Sequence, residues 1–594
     1  MRGARNAKDV TAPLTPGPSP RTQGRGENDL TKECREKMSL RASARIFGGL
    51  AALAVLGVLA ACWVIPLRLA RSGPQAWYQC AFIGDEYYYA SRVHPLIAHT
   101  TATNPVNGVC DPRMISQYFL EDALRIVVTF SGIHVISFMW LWRVLFPVLL
   151  LGTMFLLACA TMKRTRPPWS SALRILAACA GFILLYLGHD LVIEFPPLQG
   201  WLNRFPTNIE FPLSVALAAA FIHFTNTPTA PHGVLLALSS AATVYLRMYT
   251  AMPWGIAITI TMVWLVLEKR VKVKPAMITL GVLMVLLIPW VAIVYSNGQL
   301  LTQKQLMARY FPLVQFSFSP HWAVYFSFAA LFCGAAFRVE RQHRPLFISA
   351  AISLVILTLV SGRVRFASEL IYDRFAPFYL VVFIAAGLML LGRFTQDWRG
   401  HLSLMKAGRC SAALFAASAI AACAIALTNL NYDFSKYPVG PYRSIADETA
   451  YLPAYNWILA NTPDDALFLF DDGHDWSSAK FPDDARLIAD LQHQGDLFQI
   501  IARRRRALNE RLLNSALSDA DLDALTILQR GTFGHPIVGN EYLNAIKRYA
   551  PQYVFLRKNL SSTRGMLPKL KGMSKVVYQD DFCEVWNITY RAQP

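Results

Sequence analysis

Two adjacent carboxylates, Asp85 and Glu86, precede three consecutive tyrosines and are well suited to proton transfer. A carboxylate within hydrogen-bond reach of a hydroxyl can take its proton as the oxygen attacks an electrophile. Consecutive helical residues point about 100° apart, so only one of the pair can face a given cavity. The structural alternative is a solvated helix N-terminus, where acidic residues are favourable, beside an interfacial belt of tyrosines.

A second polar cluster, His189 and Asp190, ends an apolar run and is followed by Glu194. An ordinary polar loop between helices is the alternative reading. Both clusters are predicted on the same membrane face, and such convergence is what an active site needs. Asp85, Glu86 and Asp190 are therefore candidate catalytic residues. Substrate contacts are assigned to Tyr88 and His189.

Several basic side chains are expected on that same face, where they could bind the phosphate of an anionic lipid. Contact with lipid headgroups and snorkelling is the alternative explanation for them. Arg374 is the first choice for the phosphate, with Arg363 and Arg365 next. Arg143, expected at the outer end of the second helix, and Arg247, in a tight turn, complete the predicted substrate-binding set.

The elements that position these residues follow from composition. Hydrophobic residues make up 54% of the 594 residues and charged residues only 16%, whereas a soluble protein has about 25% charged residues. The net charge is +19, and the excess of basic residues lies in the first 429 residues. The last 165 residues hold 19 Lys and Arg against 20 Asp and Glu. Basic flanks of membrane spans account for this excess. The sequence therefore predicts a polytopic membrane protein and no nucleic-acid partner.

Apolar runs near the spanning length of about 20 residues recur between residues 45 and 429, which predicts about eleven transmembrane helices. The runs are 46–66, 144–162, 171–188, 211–226, 233–250, 254–268, 276–295, 322–337, 345–361, 376–392 and 411–429. Basic residues cluster before the first run and in alternate loops. They place the N-terminus in the cytoplasm and the first large loop, 68–132, outside the cytoplasmic membrane.

The two ends of the chain differ from the membrane region. Residues 1–44 are predicted to be a basic, disordered cytoplasmic segment, and Met38 is an alternative start. Residues 430–594 alternate helix and strand patterns and predict an extracytoplasmic α/β domain. Its predicted helices are 451–460, 487–506, 520–530 and 542–549, and its predicted strands are 466–470, 553–556 and 576–578.

The cysteines and candidate metal ligands give little further information about the function. Cys80 and Cys110 bracket Asp85 in a compartment that permits disulfides, so a bridge between them is one possibility. No metal-binding spacing is found, and no cofactor is assigned. A divalent cation stays open, because carboxylates near a phosphate can bind one or act without it.

Several segments together resemble the GT-C superfamily of polyprenyl-phosphate-dependent glycosyltransferases, which includes protein O-mannosyltransferases and lipid A aminoarabinose transferases. They are Gly84-Asp85-Glu86-Tyr87, residues 372–378 (Tyr-Asp-Arg-Phe-Ala-Pro-Phe), residues 455–466 around Trp457 and Pro463, and residues 549–555. The resemblance covers about residues 45–594. It implies a GT-C-like fold and a sugar donor carried on a lipid phosphate, with Asp85 as base and Glu86 beside it.

Transfer to a lipid, glycan or protein acceptor with inversion at the sugar carbon is the function that this resemblance implies. Two alternatives stay open: a transporter or lipid flippase, and a non-catalytic scaffold of envelope assembly. The apolar runs contain a single acidic residue, Glu268, at the end of a run. Transporters usually carry ionisable groups near the bilayer midplane, so charge collected at the rim favours catalysis.

Overall fold

The computed structural model describes most of the helical region and part of the C-terminal domain. The described residues are 23–72, 93, 119–162, 170–193, 207–298, 322–361, 375–396, 402–430, 450–463, 466–470, 505–506, 527–528, 532, 540–558 and 572–589. The helices before the C-terminal domain are α1 Gln23–Ser72, α2 Phe119–Ser131, α3 Val135–Thr161, α4 Ser170–Ile193, α5 Glu210–Asn226, α6 Ala230–Leu246, α7 Met248–Leu267, α8 Val273–Gly298, α9 Trp322–Arg338, α10 Arg344–Ser361, α11 Ala376–Gln396 and α12 Leu402–Leu430.

Each of the predicted apolar runs overlaps one of these helices, and α2 is an additional helix in the first loop. Among the described residues, six segments are long and apolar enough to cross a membrane: Ala44–Val64, Ser137–Thr161, Met248–Leu267, Val273–Ser296, Ala376–Phe394 and Gly408–Thr428. Shorter apolar helices lie between them. The chain is therefore a mostly helical, multi-pass membrane protein, as the sequence predicts.

Several helix boundaries differ from those of the predicted runs, and α1 and α3 are two of these helices. Helix α1 begins at Gln23, within the segment expected to be disordered, and residues 1–22 lie outside the described residues. Helix α3 begins at Val135, nine residues before the predicted run, because the preceding segment is itself apolar and aromatic. Position 143 is therefore inside the helix and not at its end.

The apolar core of the helical bundle is formed chiefly by α3, α4, α5, α10 and α11, whose small and aromatic side chains interlock. Trp254 of α7 meets Phe378 of α11 edge to face, with ring centroids 4.9 Å apart. Helix α8 lies at the periphery and packs chiefly against α6. Tyr245 of α6 donates a hydrogen bond of 2.8 Å to the backbone carbonyl of Leu286 in α8.

The C-terminal domain is built on a five-stranded mixed sheet with strand order β2-β1-β3-β5-β4. Its described elements are α13 Leu452–Asn461, β1 Leu467–Phe470, β2 Arg505–Arg506, α14 Asn540–Tyr549, β3 Tyr553–Arg557, β4 Ser574–Gln579 and β5 Cys583–Ile588. Strand β1 pairs in parallel with β2 and β3, whereas β5 is antiparallel to both β3 and β4.

Most described elements of this domain match the predicted helices and strands, with two differences. Arg505 and Arg506, predicted as the end of a helix, form strand β2 because they pair with Leu467 and Phe468 of β1. Strand β5 was not predicted, since its sequence mixes charged and apolar residues. The rest of the predicted helices 487–506 and 520–530 lies largely outside the described residues.

One apolar cluster joins this domain to the helical bundle. It contains Leu124 of α2, Trp140 of α3 and Ile209, together with Tyr455 of α13 and Phe555 of β3. Continuous burial of this kind requires the C-terminal domain to pack directly on the bundle. Leu246, the last residue of α6, also packs against this cluster, so the start of α3, the start of α5 and the end of α6 lie at the same end of the bundle as the C-terminal domain. We call this the tail-facing end.

Candidate active site

Most of the side chains predicted to form the site lie outside the described residues: Asp85, Glu86, Tyr88, Arg363, Arg365 and Arg374. The backbone of His189 and Asp190 belongs to the last turns of α4, but their side chains are not among those described. Cys80 and Cys110 are also outside the described ranges. Arg143 and Arg247 are the members of the predicted set whose side chains the structure describes.

Arg247 occupies the junction between α6 and α7 and is the sole residue between the two helices. Its backbone is extended, with φ −154° and ψ 82°. Its amide donates to the carbonyl of Thr243 at 2.8 Å, and its carbonyl accepts from the amide of Ala251 at 3.2 Å. These two bonds fix the reversal of the chain. The predicted tight turn at Arg247 is therefore present, with one non-helical residue between α6 and α7.

Glu210 lies directly against Arg247 and was missed by sequence analysis. It belongs to the first turn of α5, and its side chain is 1% exposed, whereas that of Arg247 is 15% exposed. Glu210 Oε1 is 3.5 Å from Arg247 Nε. Its other oxygen, Oε2, accepts a hydrogen bond of 3.4 Å from the hydroxyl of the buried Thr250. A buried carboxylate needs this kind of pairing, because removing a charge from water is costly.

A signal for Glu210 was present in the sequence. It stands immediately before an apolar run that contains no other acidic residue. An acidic side chain in the first turn of a helix is favourable toward the helix dipole, so the position has an ordinary structural explanation. Its pairing with a residue 37 positions later is a tertiary feature.

The start of α5 is also bonded to α7 and α11. Trp254 Nε1 donates to Ser214 Oγ at 2.6 Å, and the Ser214 hydroxyl donates to the backbone carbonyl of Pro377 at 2.8 Å. Both hydrogen bonds are buried. Pro377 follows Arg374 by three residues in the chain. The helix that carries Glu210 thus contacts the segment that follows the arginine preferred for phosphate binding.

Helix α3 contributes a second polar contact at the tail-facing end. Trp142 Nε1 donates to the side-chain oxygen of the buried Asn208 at 2.8 Å. Arg143, the next residue, is 3% exposed, and its guanidinium lies 4.3 Å from the ring centroid of Trp140. The expectation that Arg143 lies at the outer end of its helix is therefore wrong, because α3 begins eight residues before it.

The described part of the site combines a partly exposed guanidinium, a buried carboxylate and a neighbouring apolar cluster. A guanidinium supplies planar N–H donors that match a phosphate, and the apolar surroundings strengthen such contacts. Within the described ranges, no three His, Cys, Asp or Glu side chains lie close enough to hold a metal ion. The arrangement suits a ligand with an anionic headgroup and an apolar chain.

Among known proteins, the chain is similar to solved structures. No family model matches the chain, and no curated protein matches it either. Among solved structures, the chain is similar to ArnT from Cupriavidus metallidurans bound to undecaprenyl phosphate. The sequence identity is 13% and the TM-score is 0.47, over 91% of this chain and 97% of that chain.

Proposed function

We propose that this protein is a membrane glycosyltransferase of the GT-C type. It transfers a sugar from a polyprenyl-phosphate-linked donor to a lipid, glycan or protein acceptor. The reaction takes place on the extracytoplasmic face of the cytoplasmic membrane, where the first loop and the C-terminal domain are predicted to lie. The lipid in the ArnT structure belongs to the same chemical class as the proposed donor.

The observation that carries the proposal is the pair formed by Arg247 and Glu210 at the tail-facing end of the bundle. Positive charge is normally depleted from the extracytoplasmic side of membrane proteins. A guanidinium fixed there in a one-residue junction, partly exposed and backed by a buried carboxylate, therefore has the properties of an anion-binding group. The adjacent apolar cluster and the surrounding membrane suit the hydrocarbon part of the donor.

Within this proposal, each predicted residue has a role. Asp85 takes the proton of the acceptor hydroxyl as its oxygen attacks the sugar carbon, and Glu86 and Asp190 support it. The bond between the sugar carbon and the phosphate oxygen breaks, so the lipid phosphate leaves with both bonding electrons. Arg374, Arg363 and Arg365, together with Arg143 and Arg247, stabilise the negative charge that develops there. In-line attack inverts the anomeric centre. His189 and Tyr88 contact the substrate.

The test compares envelope lipids and glycans by mass spectrometry in cells with the wild-type protein, without it, and with Asp85→Asn. Loss of the protein should remove the mass of one sugar from the acceptor and leave the donor unused. Asp85→Asn should lower transfer by a factor of about 100 or more, because general-base catalysis contributes roughly that much.

Asp122→Asn is the matched control. This carboxylate belongs to the same predicted loop, but it is partly exposed and paired with Arg125 at 2.9 Å, so transfer should be retained. Unchanged transfer in Asp85→Asn would remove the proposed base. Identical envelope lipids and glycans with and without the protein would contradict the glycosyltransferase assignment itself.

A further inference from the structure

Glu210 takes no part in the bond-forming and bond-breaking steps proposed above, yet both of its oxygens are directed to the α6–α7 junction. Oε1 faces Arg247 Nε at 3.5 Å, and Oε2 accepts from the Thr250 hydroxyl at 3.4 Å. Thr250 is three residues beyond Arg247 and is itself buried. The carboxylate is therefore held between Arg247, the junction residue, and the first turn of α7.

The two members of the pair differ in how far they are open to the surroundings. Glu210 is closed off, whereas part of the Arg247 side chain is exposed. A guanidinium is planar, with its five N–H donors in a rigid fork. A carboxylate on the Nε edge therefore limits both the rotamer of the arginine and the direction of the remaining donors. An anion that reaches the exposed part of Arg247 meets a group whose orientation is already set.

We infer that Glu210 is a positioning residue for the phosphate of the lipid carrier, acting through the guanidinium of Arg247. This inference rests on the proposed function, because it takes a polyprenyl phosphate as the ligand. Without Glu210, the arginine can adopt other rotamers and must be ordered when the phosphate binds, which weakens binding. Glu210 also offsets the positive charge of Arg247. If this were its whole effect, Glu210 would weaken phosphate binding, and its neutralisation would strengthen that binding. The two roles therefore predict opposite changes when Glu210 is neutralised.

The test measures binding of undecaprenyl phosphate and of uncharged undecaprenol to the full-length protein in lipid nanodiscs. The wild type should prefer the phosphate. Glu210→Gln should reduce that preference by about tenfold or more, as small misplacements of binding groups do, while undecaprenol binding stays the same. A general loss of structure would weaken binding of both lipids, so the preference isolates the positioning effect.

A double-mutant comparison shows whether Glu210 acts through Arg247. Glu210→Gln combined with Arg247→Gln should bind the phosphate as Arg247→Gln alone does, because no guanidinium is left to position. Glu121→Gln is the matched control: Glu121 is a buried carboxylate of α2 near the same end of the bundle. The phosphate preference should be unchanged in this variant.

The results that would overturn the inference are distinct from those that would overturn the function. A Glu210→Gln variant that binds the phosphate as well as the wild type, or more tightly, shows that the carboxylate merely offsets charge. A wild type without any preference for the phosphate contradicts the proposed function, and the inference falls with it. If Glu210→Gln does not fold, Arg247→Lys is measured: it keeps a charge opposite Glu210 but lacks the fork. Retained preference in Arg247→Lys overturns the inference.

Discussion

Asp580 closes the turn between β4 and β5 with three hydrogen bonds. Its Oδ1 accepts from the backbone amides of Phe582 and Cys583, each at 2.8 Å, and its Oδ2 accepts from the Tyr578 hydroxyl at 2.8 Å. Burial acts to raise the pKa of Asp580, but the hydrogen bonds from Cys583, Tyr578 and Phe582 outweigh it and hold the pKa below the usual range. Burial is the main cause that raises the pKa of Tyr578, and the neighbouring Asp580 carboxylate raises it further.

This lowered pKa makes the contribution of Asp580 to stability dependent on pH. A carboxyl with a lower pKa in the folded state stabilises the fold above its unfolded value of about 3.9, and the contribution is lost as pH falls through the folded pKa. Asp580→Asn should therefore destabilise the C-terminal domain by about 1–2 kcal/mol at pH 7. The difference from wild type should shrink below about pH 4.

Thermal unfolding between pH 3 and pH 8 measures this effect, with the exposed neighbour Asp581→Asn as control. A stability difference between wild type and Asp580→Asn that stays constant through pH 3 would contradict the assigned pKa direction.

At the scale of elements, α6 approaches α8 most tightly where α6 carries Gly233. A Cβ atom at Gly233 of α6 would lie 2.2 Å from Thr279 Oγ1 and 3.4 Å from the carbonyl of Pro275, both in α8. Thr279 Oγ1 is held in place because it donates to that same carbonyl at 2.9 Å. Helix α8 has its main contacts with α6, so its placement depends on this close approach.

Gly233→Ala should therefore destabilise the protein by about 1–3 kcal/mol, the usual cost of overpacking. Adding Thr279→Ala should restore much of the loss, because it removes the atom at 2.2 Å. Thermal unfolding in detergent or nanodiscs measures both variants. Gly255→Ala in α7 is the control, since a Cβ there meets nothing within 4 Å. Equal stability of Gly233→Ala and Gly255→Ala would show that the helices do not approach this closely.

At the scale of the whole molecule, the C-terminal domain and the bundle share one apolar cluster. Helix α2 takes part through Leu120, Leu124 and Val128 on one face. Its opposite face carries exposed apolar residues, among them Phe130 at 86% exposure. The helix therefore has one side toward the protein and another toward the surroundings, and its buried side helps to attach the C-terminal domain.

Leu124→Ala should loosen this attachment. A buried leucine replaced by alanine costs about 2–5 kcal/mol, and here part of that cost falls on the contact between bundle and domain. We expect faster limited proteolysis of the C-terminal domain in the reconstituted full-length protein. Phe130→Ala, on the exposed face of the same helix, should leave the digestion rate unchanged. Equal digestion rates for Leu124→Ala and the wild type would indicate that α2 does not hold the domain.

The sequence alone determined the membrane-spanning class, the positions of the apolar helices and most described elements of the C-terminal domain. These depend on hydropathy and on local periodicity, which neighbouring residues carry. The side of the membrane on which each loop lies stays a prediction from the distribution of basic residues. So do the roles of Asp85, Glu86 and Asp190.

Tertiary structure alone decided which polar groups meet. Glu210 and Arg247 are both visible in the sequence. Their contact depends on the start of α5 and the end of α6 lying at the same end of the bundle. The burial of Arg143 and the cluster shared by Leu124 and Phe555 likewise depend on long-range packing. Charge and hydropathy along a chain specify what must be buried, whereas the partner in burial is set by how the helices pack in three dimensions.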